Sequence, residues 1–153
     1  KLEGARRYYE FHERCIYCDM VKQEENFGER VVCANEYFIA FCPFASKYPF
    51  EMWIMPKQHV RSYVDQDRPH LCAFASMVQE TLRRLYHCLP STAYNFTLHT
   101  SPINQERDRD FHWHLSIMPR LTVNAGFEMG TGIYINATAP EDAARYLRSA
   151  TAE

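Results

Sequence analysis

The sequence predicts an α+β fold in which five short strands form an antiparallel sheet, with one long helix and a C-terminal helix. Short apolar segments rich in β-branched and aromatic residues lie close together in the first third of the chain. One long segment of helical periodicity follows them, and two more strand-like segments come after it. Locally paired strands favour an antiparallel sheet, whereas regularly alternating strands and helices would favour a parallel one.

Five strands are predicted from residue composition and from turn residues. They cover residues 31–35, 37–44, 50–55, 94–100 and 111–118. The first two flank Asn35-Glu36, which predicts a hairpin. Pro56 and Pro119 end the third and fifth strands, because proline cannot donate a hydrogen bond to a strand ladder.

The clearest helix is predicted between Pro69 and Cys88, with Asp67 as a suitable start signal. Apolar residues recur in it at steps of three and four, which is typical of one buried face. These residues are Leu71, Phe74, Val78, Leu82 and Leu85. A terminal helix is expected to begin at Pro140, where acidic residues suit the positive end of the helix dipole.

The remaining segments carry weaker signals. Residues 5–14 are expected to form a short helix or a linker, and residues 20–30 a polar loop. Residues 104–110 predict a charged surface loop. Residues 122–140 are rich in Gly, Thr and Asn, so we expect only short strand pieces there, such as 133–135.

Composition excludes several classes of function. The 153 residues are 46% hydrophobic and 24% charged, which is typical of one globular domain over residues 1–153. A net charge of −2 gives no electrostatic basis for binding nucleic acid or an anionic membrane. Without a signal-peptide core or an apolar run near the ~20 residues of a membrane span, we expect a cytoplasmic protein.

Four potential metal ligands form the most informative motif of the chain: Cys15, Cys18, His59 and His112. Two thiolates at this spacing hold one metal from a single tight turn, and two imidazoles complete a tetrahedron. The set suits structural Zn²⁺, with iron as the alternative ion. A redox role for Cys-x-x-Cys is disfavoured because no βαβ pattern follows it.

The six cysteines of the chain are too sparse for a disulfide scaffold, and reduced thiols are expected. The four outside the Cys-x-x-Cys motif lie in apolar surroundings, so we expect them to be buried as small hydrophobic residues. They are Cys33, Cys42, Cys72 and Cys88.

Strand periodicity places His112 and His114 on one face of the fifth strand. His99 is likewise excluded from the apolar face of the fourth strand, so the three histidines share a site if the two strands pair. His114 is then either a nucleophile or general acid–base group, or a polar residue on the sheet face. The opposite, apolar face is expected to carry Phe111, Trp113, Leu115 and Ile117.

Together these motifs resemble the C-terminal half of the galactose-1-phosphate uridylyltransferase family, within the histidine-triad superfamily. The resemblance extends from about residue 7 to residue 148. Its motifs lie at residues 15–18, 44–59, 98–102, 111–115 and 125–136. It implies a histidine-triad-like antiparallel sheet, a homodimer, and transfer of a nucleotidyl group between sugar 1-phosphates through a nucleotidyl-histidine.

The resemblance also implies roles for individual residues. The four metal ligands match zinc ligands, in agreement with their spacing, and His99 and His114 match positions that bind a second metal in some members. Asn124, Phe127 and Glu128 lie in a glycine-rich segment resembling one that contacts the sugar phosphate, often in the partner subunit's active site. Without the resemblance, a plain glycine-rich turn is the alternative.

The chain departs from the family at the nucleophile. The family's nucleophile lies in a His-Pro-His motif of the N-terminal half, followed two residues later by glutamine. Here His114 occupies the nucleophile's position, but Trp113 replaces the proline and Ser116 the glutamine.

The leading hypothesis is therefore a zinc-stabilised C-terminal domain of a hexose-1-phosphate nucleotidylyltransferase. Its partner would be the N-terminal half, and its substrates a nucleotide sugar and a hexose 1-phosphate, with uridylyl and adenylyl donors both open. The alternatives are a stand-alone histidine-triad nucleotide hydrolase or transferase that uses His114, and a non-catalytic zinc-stabilised nucleotide-binding module.

Overall fold

One antiparallel sheet organises the protein. The structure is a computed structural model that describes residues 1–102, 109–123 and 125–150. Its strands are β1 (Val31–Ala34), β2 (Phe38–Phe41), β3 (Met52–Pro56), β4 (Tyr94–His99) and β5 (His114–Pro119). They are ordered β1-β2-β3-β5-β4, and every neighbouring pair is antiparallel. The predicted α+β class with an antiparallel sheet is confirmed.

Helices pack on both faces of this sheet. They are α1 (Leu2–His12), α2 (Ile16–Phe27), α3 (Arg68–Cys88), α4 (Gly126–Thr131) and α5 (Pro140–Ser149). α3 and α5 contact each other and the β1–β2 hairpin. Among the described helices, none combines the length and apolar character that crossing a bilayer requires.

Two apolar cores result, one on each face. The larger lies beneath α3 and α5, where Trp113 and Leu147 are fully buried among strand residues. The smaller lies beneath α1 and α2, where Ala5, Tyr17 and Val21 pack on the opposite face of β2 and β3. Because both faces are covered, polar side chains on either face of the central strands are removed from water.

Residues 20–30 contradict the predicted loop, because α2 continues to Phe27. Tyr17, Val21 and Glu24 fall on one side of the helix and are buried, so tertiary packing stabilises a segment of polar composition. Glu24 is buried as the partner of Arg30, at 2.7 Å. Gly28 ends the helix with φ 70°, a left-handed conformation that glycine adopts at no steric cost.

The fifth strand begins later than expected, at His114 instead of residue 111. Trp113 and Leu115 do share the larger core, as the alternation predicts. Phe111 does not, because the segment before His114 is not regular strand, and its ring packs in the smaller core against Tyr17. The prediction that Phe111 shares the face of Trp113 is therefore wrong.

The long helix has the predicted extent, and four of the five residues of its predicted apolar face pack in the larger core: Leu85 is buried, and Phe74, Val78 and Leu82 are partly buried. Met77, Thr81 and Leu85 are its buried residues, whereas Leu71 at its start is 36% exposed. Cys72 is also exposed, so the expectation that it is a buried small residue is wrong. It lies beside Ala73 and Phe74, which pack against the larger core, so its own side chain is on the exposed side of the helix.

The segment after β5 forms less strand than expected. α4 replaces the predicted glycine-rich turn, and residues 133–135 join none of the described strand pairs. Asn136 Nδ2 donates to the carbonyls of Ser46 and Tyr48, so the loop before β3 holds this segment. The predicted loop at 104–110 lies largely outside the described residues.

Candidate metal centre and the adjoining histidine cluster

The two cysteines of the Cys-x-x-Cys motif lie at the start of α2. Cys15 is the N-cap residue in an extended conformation, and Cys18 lies in the first helical turn. Their spacing places both sulfurs at the same end of the helix, as the motif requires. The expected tight turn is thus the beginning of a helix, whose positive dipole end favours thiolates.

Two backbone hydrogen bonds position the histidine ligands. The Lys57 amide donates to Tyr37 O at 2.8 Å, which fixes the chain leaving β3. The Trp113 amide donates to Val60 O at 3.0 Å. Because Val60 follows His59 and Trp113 follows His112, the second bond holds the two ligand-bearing segments side by side.

The structure brings all four predicted ligands together. The ligand atoms of Cys15, Cys18, His59 and His112 all lie within 4.8 Å of one another. Cys18 Sγ lies 3.2 Å from His59 Nδ1 and 3.5 Å from His112 Nδ1. Cys15 and His112 are buried, Cys18 is half-buried and His59 is exposed. Two thiols and two imidazoles at these separations fit one small, borderline-soft ion held tetrahedrally.

Hydrogen bonding between the two thiols shifts their pKa values in opposite directions. A hydrogen bond from Cys18 is the main cause that lowers the pKa of Cys15, and the His112 and His59 contacts act in the same direction. The same contact raises the pKa of Cys18. One sulfur is thus favoured as a thiolate, which is the form that binds metal.

A separate cluster lies on the same face, where β4 and β5 pair. His99 and His114 are directly opposite in register, and their rings stack with centroids 4.6 Å apart. Trp53 stacks on the His114 ring at 4.8 Å. His112 instead faces Cys18, so the three histidines divide between two neighbouring sites.

The amine of Lys1 enters this cluster. Its Nζ lies 3.1 Å from His99 Nε2, 3.0 Å from His114 Nε2 and 3.4 Å from Ser116 Oγ. It also lies 4.1 Å from the ring centroid of Trp53. His114 Nδ1 is 3.1 Å from the carbonyl of His112, to which it donates.

Burial controls the ionisation of the cluster. It lowers the pKa of His114 to about 3 and that of His99 to about 4, and the charge of Lys1 adds to both shifts. Burial also lowers the pKa of Lys1 to about 8, with Glu51 opposing the shift. Near neutral pH the two imidazoles are therefore neutral acceptors around an ammonium group.

The sugar-phosphate candidates lie in the segment around α4. Phe127 is 52% exposed, and Glu128 Oε2 accepts a hydrogen bond from the Ala125 amide at 3.0 Å, which caps the helix. Asn124 lies outside the described residues. The sequence did not single out Lys1 or Trp53, since one lysine near a chain end and one strand tryptophan carry no distinctive spacing.

Comparison with known protein families tests the suspected resemblance. The family described as galactose-1-phosphate uridyl transferase, C-terminal domain, matches residues 1–151. The chain belongs to this family. The suspected resemblance is therefore confirmed.

The chain spans between two fifths and one half of the length of two curated relatives. An ADP-glucose phosphorylase of Arabidopsis thaliana is 33% identical over 97% of this chain and 41% of the relative. A galactose-1-phosphate uridylyltransferase of Thermotoga maritima is 29% identical over 100% of this chain and 50% of the relative. This galactose-1-phosphate uridyl transferase C-terminal domain thus corresponds to about half of each relative.

Solved structures agree with the fold. A crystal structure of the Arabidopsis thaliana ADP-glucose phosphorylase with bound ADP-glucose superposes with a TM-score of 0.87 at 33% identity, covering 98% of this chain and 47% of that one. A zinc-bound histidine triad family protein from Mycobacterium smegmatis superposes with a TM-score of 0.61 at 17% identity, covering 88% of this chain and 91% of that one. The expected histidine-triad-like sheet is confirmed.

Proposed function

We propose that this chain is the zinc-stabilised C-terminal half of a cytoplasmic nucleotidyltransferase, which transfers a nucleotidyl group between a nucleotide sugar and a hexose 1-phosphate. The observation that carries the proposal is the convergence of the Cys₂His₂ ligands in a chain that matches the C-terminal domain of this family. Residues 1–153 would form one domain. The free cysteines of the structure suit a reducing compartment.

Cys15, Cys18, His59 and His112 would hold the zinc ion, whose chemistry in this closed four-ligand set would be structural. These ligands come from the start of α2, the segment after β3 and the residue pair preceding β5. Metal binding would therefore join three separate parts of the chain and contribute folding free energy. Metal binding would also hold the beginning of β5 in place, and the first residue of β5 is His114 of the histidine cluster.

The partner on the β4 side would be the N-terminal half of the same enzyme. β4 is the outer strand of the sheet, and Tyr94, Phe96 and Leu98 on it are 40%, 66% and 37% exposed. An open strand edge with uncovered apolar side chains favours pairing with another sheet. In a chain that spans half of its relatives, the other half is the occupant that we propose for this edge.

The α4 segment would carry sugar-phosphate contacts to a second subunit of a homodimer. Phe127 and Met129 on α4 are 52% and 75% exposed, so they are available to a partner. Asn136 anchors the following residues to the loop before β3. In this arrangement Phe127, Glu128 and Asn124 would approach the substrate of the partner subunit.

The nucleophilic histidine would lie outside this chain. His114 has no exposed surface, and its Nε2 already faces the ammonium group of Lys1. A nucleophile needs an available lone pair and access to phosphorus. We therefore assign His114 a positioning role, which links β5 to the metal ligand His112 through its Nδ1 hydrogen bond.

The test uses the longest protein encoded by the gene. Exchange between nucleotide sugar and hexose 1-phosphate is measured with ADP-glucose and UDP-glucose in parallel, and the covalent adduct is mapped by mass spectrometry. We expect turnover with a nucleotidyl-histidine outside residues 1–153. An adduct on His114 would instead establish a stand-alone histidine-triad enzyme, and saturable binding without turnover would establish a binding module.

A further inference from the structure

The number of N–H donors on the Lys1 amine equals the number of acceptor atoms that surround it in the histidine cluster. An ammonium carries three N–H donors and no acceptor. Lys1 Nζ has three acceptor atoms around it, which are His99 Nε2, His114 Nε2 and Ser116 Oγ, at 3.1, 3.0 and 3.4 Å. The face of Trp53 covers the cation at 4.1 Å from its centroid.

Hydrogen bonding fixes His114 in the required tautomer. Its Nδ1 donates to the carbonyl of His112 at 3.1 Å, so Nε2 is left as the acceptor that an ammonium needs. Glu51 supplies a negative charge that acts on Lys1. Its carboxylate accepts from the Lys47 amide at 2.7 Å and from Trp53 Nε1 at 2.8 Å, so it also holds the indole ring that covers the ammonium group.

We infer that the ammonium group of Lys1 takes the place of a second metal ion between His99 and His114, so that this chain holds a single metal. The two imidazoles and the hydroxyl supply three acceptor atoms, which match the three N–H donors of an ammonium group. A metal ion would need the same two Nε2 lone pairs, and charge repulsion from Lys1 opposes its entry. This inference does not depend on the proposed transferase activity.

The test counts metal ions in the 153-residue chain and in four variants, one of which, His99→Gln alone, should hold one ion like the wild type. Zinc-free protein is titrated with Co²⁺, and stoichiometry is measured by native mass spectrometry. Thiolate-to-cobalt charge-transfer absorption reports occupancy of the cysteine site independently. We expect one equivalent for the wild type, two for Lys1→Met, and one for Lys1→Met combined with His99→Gln. The matched control Lys22→Met, which changes an exposed lysine on α2, should hold one.

Two outcomes would overturn the inference. One is a wild-type chain that binds a second equivalent which His99→Gln removes. The other is a Lys1→Met chain that still shows the charge-transfer band but gains no second equivalent. Loss of the charge-transfer band in the wild type would instead refute the Cys₂His₂ site and the proposed function, so the two failures are distinguishable.

Discussion

The backbone amide of Trp113 donates to the carbonyl of Val60 at 3.0 Å, and this contact joins the two histidine-bearing segments of the metal centre. His59 and His112 are separated by more than fifty residues of sequence, including all of α3. The hydrogen bond makes the two segments neighbours, and the ligand atoms of both histidines lie within 4.8 Å of those of Cys15 and Cys18.

Replacing one sulfur ligand should remove most of the metal-linked stability. We expect Cys18→Ser to lose bound zinc and to lower the free energy of unfolding by several kcal/mol, because binding free energy of a structural metal is folding free energy. The matched control is Cys72→Ser, whose thiol is exposed and should change stability by less than about 0.5 kcal/mol. Thermal unfolding with elemental analysis checks both. An unchanged melting temperature with full metal content in Cys18→Ser would refute the site.

A buried ion pair makes α2 sensitive to a single substitution. Arg30 bonds Glu24 at 2.7 Å and Glu141 at 2.9 Å, and Glu24 is 4% exposed. Arg30→Met should cost about 3–5 kcal/mol, because it leaves a buried carboxylate without its partner. Arg6→Met breaks an exposed pair with Glu10 and should cost far less, because water screens the two charges. Urea unfolding compares the two, and equal losses would contradict the prediction.

The terminal helix should contribute to the larger core. Leu147 on α5 has no exposed surface and packs beneath α3. Leu147→Ala should destabilise the fold by about 2–5 kcal/mol through lost burial and the cavity left behind. Leu121→Ala, at a 39% exposed position, is the matched control and should cost far less. If the two variants unfold at the same urea concentration, α5 is not integral to the fold.

The carboxylate of Glu80 should make the free energy of unfolding depend measurably on pH in the acidic range. The Arg83 hydrogen bond, with a further one from Arg84, lowers the pKa of Glu80 from 4.5 to about 2, against the opposing effect of burial. The stabilisation is therefore complete above about pH 4.5 and disappears as pH falls toward 2. Because the pairs are partly exposed, we expect less than about 1 kcal/mol from each.

The measurement compares unfolding free energies of wild type and Glu80→Gln as a function of pH. Their difference should be constant above pH 4.5 and should shrink toward pH 2, with the wild type more stable at the higher pH. Glu29→Gln changes an exposed carboxylate and should follow the wild type throughout. A difference that grows on acidification would contradict the assigned sign.

The local sequence pattern was sufficient to predict the elements that depend on neighbouring residues. The α3 helix begins and ends within one residue of the predicted bounds, since its period and the Asp67 cap are properties of neighbouring residues. The Asn35 turn is likewise local, because its side chain accepts from the amides of Tyr37 and Phe38. By contrast, α2 lacks a strong apolar pattern and needs the sheet beneath it to be stable.

Spacing and residue chemistry can be read along the chain, and they were sufficient to predict the antiparallel sheet, the long helix and the four candidate metal ligands. They could not predict that His112 contacts Cys18 while His114 contacts Lys1, which follows from the packing of distant segments. The same packing places Phe111 and Trp113 in different cores. These contacts depend on which distant segments cover each face of the sheet. Contacts between segments that are far apart along the chain produce no periodic pattern in the sequence.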